Sequence, residues 1–302
     1  GHNGAGISRW DPDSGFFKDL VIDPDGHAHR VDVYSWVGLI PLFATEVIDE
    51  RLLKNVPRFR RVIETHTGGF FQGNWYVSAC PARINTRGEH LLALVGESRL
   101  KEILSRLLNE DEFLSPYGIR SVSRLHAEYR EIGALPGIGA AMIEYLPGES
   151  NSGLFGGNSN WRGPIWMPTN YTLIQALEKF HRFYGDALKV PVAAAGGAAL
   201  NLNEVATLIA ERLVNMYRRD DTGRRAVYPA DSPLQNDPAW SDLLLFFEYF
   251  HGDVGLGLGA QHQTGWTGLI ANLVMRRYRK DIPTCWRETR VPHRASEVSH
   301  AA

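Results

Sequence analysis

The stretch GPIWMPTNYTLIQALEKFHRFYGD, residues 163–186, is where the fold becomes legible: Ile174, Leu177, Phe180 and Tyr184 follow one another at spacings of three and four. That period lays one apolar stripe along a helix, and a helix with such a stripe buries it. Pro164 suits the entry to a first turn, where a missing N–H costs no bond, and Gly185 supplies a stop. The expectation is a helix from about Pro164 to near Gly185.

The same period recurs outward from this segment. LNEVATLIAERLVNMYRRD, residues 202–220, reads as a helix closed by the turn DDTG at 220–223. RLKEILSRLLNE, residues 99–110, reads as an amphipathic helix with Ser98 at its start and Glu102 in support. The second half of residues 31–55 has helical spacing, with Pro41 marking a kink or boundary. PAWSDLLLFFEYF (238–250), with Pro238 in its first turn, and TGWTGLIANLVMRRYRK (264–280) complete the helical set. Strand signals are local: FFKDLVIDPDGHAHRVDV, residues 16–33, alternates about an Asp-Gly turn and reads as a hairpin. Long connections rich in glycine and aromatics fill 67–87, 113–160, 220–237 and 252–265, and chemistry on a helical frame belongs in such loops.

Composition narrows the classes. The 302 residues are 44% apolar and 22% charged, which is ordinary for a globular chain. A net charge of -2 gives no field for nucleic acid, and the basic run RRYRK at 276–280 reads as a solvated helix end. No apolar run is long enough to span a bilayer. Cys80 and Cys285 are far apart without metal or disulfide spacing, so neither a disulfide framework nor a structural zinc is suggested; no metal or cofactor is expected, and the compartment stays open.

Three stretches have the residue types of a sugar site. In GESNSGLFGGNSNWRGPIWMPTNY (148–171), Trp161 and Trp166 flank Arg162 and Gly163 beside Asn158, Asn160 and Tyr171. Aromatic faces stack on pyranose C–H faces while amides and a guanidinium reach hydroxyls; a structural loop with core tryptophans is an equally open reading. HGDVGLGLGAQHQTGWTG (251–268) holds His262, Gln263 and Trp266 among glycines, with no strand before GLGLG to make it a dinucleotide loop. WDPDSGFFKD (10–19) offers Trp10 and Asp11, although DPDSG is also an ordinary turn. Just before the second stretch, LLLFFEYFHGD (243–253) sets one carboxylate, Glu248, inside an apolar run, where burial without a partner costs several kcal/mol.

Taken together, GGNSNWRGPIWMPTNY, FFEYFHGD and GAQHQTGWTGLIA, with WDPDSGFFKD and DEFLSPYGIRSVSR upstream, resemble the C-terminal catalytic region of glycoside hydrolase family 63 over about residues 10–278. That family includes processing α-glucosidase I, with mannosylglycerate hydrolases nearby. The resemblance implies an all-α fold, an (α/α)6 barrel or six-hairpin toroid, here incomplete, with long loops and small β-hairpin decorations. Residues 1–281 would form the partial catalytic domain and 282–302 a disordered tail.

It further implies inversion at an α-glycosidic bond in an oligosaccharide or small glycoside. One carboxyl group donates a proton and another activates water across roughly 6.5 to 9.5 Å. Glu248 stands where the family has its base glutamate, near the end of a late helix. Substrate contacts would come from Asn160, Trp161, Arg162, Gly163, Trp166, Tyr171, His262, Gln263, Trp266, Trp10 and Asp11. The family's acid is an aspartate in a motif like GLDN or ESGxDxS, and no such motif occurs between Gly1 and Ala302. The expectation is therefore an N-terminally truncated fragment whose acid lies upstream, inactive alone, with Asp11 or Asp19 as weaker substitutes. The alternatives are a carbohydrate-binding toroid in which Glu248 merely pairs with Arg162, and a related phosphorylase or lyase.

Overall fold

A computed structural model describes residues 7–61, 83–128, 130–135, 139–153 and 159–278. Cys80, Cys285, Asn158, Gly156, Gly157 and the 282–302 tail lie outside the described residues.

Two helices make the centre. Helix α2 (Met167–Tyr184) and helix α3 (Leu202–Asn215) pack against each other through Leu173, Ile174, Leu177 and Phe180 on one and Val205, Ile209 and Leu213 on the other. Each such buried side chain contributes about 1.5–3 kcal/mol. A β-hairpin, Lys189–Val192 with Ala198–Asn201, joins them into a helical hairpin. Gly185 takes φ 59° after α2, as its sequence position indicated, and Asn201 with Glu204 forms a capping box on α3 that the sequence reading did not name. Helix α1 (Glu97–Leu107) adds Leu100, Ile103, Leu104 and Leu107 to the same core, and helix α4 (Leu269–Tyr278) adds Ile270 and Leu273. Gly96, not Ser98, is the N-cap of α1; Ser98 lies within the first turn and hydrogen-bonds to Glu102.

Strand content exceeds the all-α expectation, so the described residues are mixed helix and strand around a helical core. The hairpin of Leu20–Ile22 with Ala28–Arg30 turns at Gly26 as its sequence indicated. Others pair Trp10–Asp11 with Phe16–Phe17, Leu114–Ser115 with Gly118–Ile119, and Arg130–Leu135 with Gly139–Ile143. A three-stranded antiparallel sheet has Glu89–Ala93 between Thr45–Asp49 and Arg83–Ile84. This sheet corrects the helical reading of 31–55. After a single helical turn at Ile40–Phe43 the chain extends through Thr45–Asp49, where alternation buries Thr45 and Val47, and becomes helical again only at Glu50–Asn55.

The second correction falls on residues 238–250. One turn forms, with Trp240 and Ser241 N–H groups donating to Asp237 O, and the chain then runs extended. In a helix, LLLFFEYF would show apolar surface on every side. Extended, it leaves Leu243 and Leu244 exposed, while Phe247 and Tyr249 are buried and Glu248 between them in sequence is half-buried. No described helix is long and apolar enough to cross a membrane.

Candidate active site

Glu248 sits on this extended segment, immediately before the strand Tyr249–Phe250, and not at a helix end. That strand pairs with Gly257–Leu258 on one side, and Phe250 exchanges both backbone hydrogen bonds with Ile165 on the other. The segment entering α2 and the segment bearing Glu248 are thus hydrogen-bonded neighbours. Phe246 forms a parallel bridge with His262, which brings the QHQTGW stretch alongside.

The Glu248 carboxylate is half-buried and accepts two hydrogen bonds, one per oxygen: Ser159 Oγ donates to Oε1 at 2.5 Å and Ala260 N–H to Oε2 at 3.2 Å. Both are donors, which suits an ionised carboxylate that must itself accept. Gly259 makes the approach possible, since its φ is +68° and a Cβ there would stand 2.8 Å from Oε2. Tyr249 donates to Glu149 at 2.8 Å. Burial pushes the Tyr249 phenol up, and the charges of Glu149 and Glu248 push it further, so it stays a donor.

Aromatic rings form the wall beside it. Trp161 stacks on Trp166 with centroids 3.7 Å apart and planes 3° from parallel, and Trp36 lies 5.5 Å beyond Trp161. Trp166 is fully buried, stacks on Tyr249 at 4.9 Å and meets the edge of Trp266 at 5.5 Å. Of these tryptophans, Trp36 and Trp161 are half-buried, Trp266 is exposed, and Trp166 is buried behind them. Exposed His262 and half-buried Gln263 border the same segment, with Gln263 N–H donating to Phe246 O.

Other members of the expected set hold the wall in place. Asn160 is buried and its amide donates to the carbonyls of Leu146 and Gly148, while its oxygen accepts from Arg162 N–H. The Arg162 guanidinium reaches Ser150 and Asn151, and no ion pair joins it to Glu248 among the described residues. Gly163, at φ +150°, lies against Tyr145 so closely that a Cβ would stand 2.7 Å from the ring. Tyr171 hydrogen-bonds to Asn272 of α4 at 2.8 Å.

Two structural partners escaped the sequence reading. Ser159 and the Ala260 N–H carry no motif of their own beyond lying in the quoted stretches. A buried arginine–carboxylate pair that the sequence reading did not foresee forms at Arg120, which is 2% exposed. Its guanidinium donates to Asp253 at 3.0 Å, to Tyr145 at 3.0 Å and to the carbonyl of Leu114 at 2.7 Å, and Tyr145 donates to the same Asp253 oxygen. This pair anchors the loop that follows Glu248. Between the two, half-buried His251 accepts from Asp253 N–H through Nδ1, and burial pushes its imidazole down against the pull of Asp253.

The profile of the mannosylglycerate hydrolase MGH1-like glycoside hydrolase domain matches residues 90–267, the span that carries α1, α2, α3, the aromatic wall and Glu248. The chain belongs to the MGH1-like glycoside hydrolase family.

Relatives agree with this and bear out the resemblance to family 63. An uncharacterized protein of Saccharomyces cerevisiae is 40% identical over 277 residues, covering 88% of this chain and 24% of that protein. A Schizosaccharomyces pombe protein named probable mannosyl-oligosaccharide glucosidase is 25% identical over 60% of this chain and 16% of its own length. The mannosyl-oligosaccharide glucosidase of Saccharomyces cerevisiae is 24% identical over 59% and 15%. The chain spans no more than about a quarter of the curated relatives it matches.

In this MGH1-like glycoside hydrolase the N-terminal candidates stand apart from Glu248. Trp10 is buried against Phe17 and under Arg99, beside α1. Asp11 is buried in its own turn, with Ser14 donating at 2.6 Å and Lys18 at 3.1 Å. Burial alone would raise this carboxyl, but Ser14 and Lys18 outweigh it and hold it below the ordinary carboxylate value. An aspartate so held is a poor proton donor. Asp19 pairs with Arg9 at the surface. No hydrogen bond, ion pair or ring contact links any of the three to Glu248 among the described residues.

Proposed function

We propose that this MGH1-like glycoside hydrolase domain provides the base side of an inverting α-glycosidase site. Glu248 takes a proton from water as that water attacks the anomeric carbon. The observation that carries this is the Glu248 carboxylate, held between the Ser159 hydroxyl and the Ala260 N–H next to a tryptophan wall. Base catalysis needs an ionised, oriented carboxylate within reach of the reacting sugar, and a stack of aromatic faces is what a pyranose ring binds. In this reading Trp161 and Trp266 contact sugar, His262 and Gln263 meet hydroxyls, and Asn160, Arg162, Gly163 and Trp166 fix the wall that presents them.

The substrate class is an α-linked oligosaccharide or small glycoside, and the second carboxyl group is an aspartate outside these residues. Asp11, the nearest sequence substitute, is held ionised in a turn away from the site. The α2–α3 hairpin is then one unit of an (α/α)6 toroid completed by other parts of the protein, with residues 1–281 acting as one catalytic segment. The reading of Glu248 as a mere partner of Arg162 has no support, because each finds other partners.

Proton NMR of the first-formed product tests the mechanism. With an α-linked substrate and the full-length protein, the β-anomer appears first; an α-anomer appearing first would overturn inversion. The 302-residue chain alone is expected to release no sugar, and robust turnover by it would contradict the assignment of the acid to another part of the protein.

A further inference from the structure

Residues from the end of α3, the segment 224–235, Tyr117 and Val254 line a cavity of about 570 Å³ that the glycosidase reading does not use. Four arginines, Arg218, Arg219, Arg224 and Arg225, line it, with Asp220 as its carboxylate among the described residues. The arginines arrive in pairs because Arg218 and Arg219 leave the end of α3 while Arg224 and Arg225 return after the turn at 220–223. Arg219 and Arg225 then converge, both donating to the single carbonyl of Ser241 at 2.7 Å.

Guanidinium groups brought together in this way repel one another. Arg225 shows the effect: burial lowers its pKa, and the charge of Arg219 lowers it further. Local carboxylates offset this only partly. Asp220 Oδ1 already accepts from Thr222 and from the Arg224 backbone N–H, and Asp242 meets Arg219 at 3.5 Å from an almost fully exposed position. Glu211 meets Arg218 at 3.4 Å. The Arg224 guanidinium makes no hydrogen bond among the described residues, so its donors remain available to a ligand.

We propose that this cavity binds a phosphoryl-bearing small molecule, its phosphate dianion seated among Arg219, Arg224 and Arg225. A carboxylate matches one planar guanidinium, whereas a phosphate has the oxygens and charge to engage several at once. The volume lies in the range of small-molecule sites and leaves room for a sugar-sized group beside the phosphate, against Tyr117 and Tyr228. Tyr228 ties this floor to the active segment: its hydroxyl donates to Leu243 O at 3.1 Å and accepts from Leu245 N–H at 2.9 Å. The inference rests on the arginine cluster and does not require that Glu248 be a base.

Isothermal titration of the full-length protein with inorganic phosphate, a hexose 6-phosphate and the free hexose tests it. Saturable binding of both phosphates is expected, tighter for the hexose 6-phosphate, with phosphate affinity falling about ten-fold or more in Arg224→Gln and further in Arg219→Gln/Arg224→Gln. Arg224 is exposed, so an unchanged melting temperature shows that the variant folds. Glu248→Gln is expected to bind phosphate like the wild type. Absence of saturation, equal phosphate affinity in both arginine variants, or loss of phosphate binding in Glu248→Gln would each overturn the proposal.

Discussion

Gly259 has no room for a side chain, because the Glu248 carboxylate and the Tyr249 ring occupy the space a Cβ would need. Gly259→Ala is therefore expected to lower turnover by about ten-fold or more by displacing Glu248, the rate equivalent of about 1.4 kcal/mol. Gly196→Ala is the control: φ is similarly positive, at 67°, but nothing stands within 4 Å, so the variant carries the backbone strain of about 1–2 kcal/mol and leaves turnover alone. Three residues from Glu248 on the loop anchored by Arg120, His251 links stability to pH. Its folded value lies below 6.5, so the unfolded state binds the proton more readily. The stability it contributes is complete above pH 6.5 and is lost as pH falls through the folded value. Melting temperature against pH should therefore decline below pH 6.5, and His251→Asn should flatten that part of the curve.

At the scale of elements, the legible parts were those whose signal is local. The α2 and α3 periods, the Gly185 stop and the Asp-Gly hairpin at Gly26 each depend on neighbours in sequence, and each forms where its residues indicated. Residues 238–250 misled because Pro238 and a run of leucines satisfy helix rules. What overrides them is tertiary: Tyr228, Gln261 and Ile165 supply the partners that an extended chain needs. Stability measurements separate the two conformations. Leu243→Ser and Leu244→Ser, at exposed positions, are expected to change unfolding free energy by no more than about 0.5 kcal/mol, while Phe247→Ala costs about 3–5 kcal/mol. Sizeable losses at all three would restore the buried helix. The site was legible in the same uneven way. Glu248 was conspicuous as a carboxylate in an apolar run, and Trp161 and Trp266 as aromatics in glycine-rich loops. Ser159, the Ala260 N–H and the Arg120–Asp253 pair are contacts between segments far apart in sequence, which no local pattern encodes.

The described residues form a helical core with short strands, on which the segments entering α2 and following Tyr249 meet at Glu248, in a chain that belongs to the MGH1-like glycoside hydrolase family and spans about a quarter or less of its matched relatives. In the function proposed above, other parts of the protein complete the toroid and supply the acid, and Glu248 is the base that these residues contribute. Its test is direct. Steady-state kinetics of the full-length protein on an α-linked oligosaccharide should show Glu248→Gln lowering kcat by about 10²–10⁴-fold with KM and melting temperature little changed. A Glu248→Gln protein that keeps its turnover within about ten-fold of the wild type would contradict the assignment of Glu248 as the base.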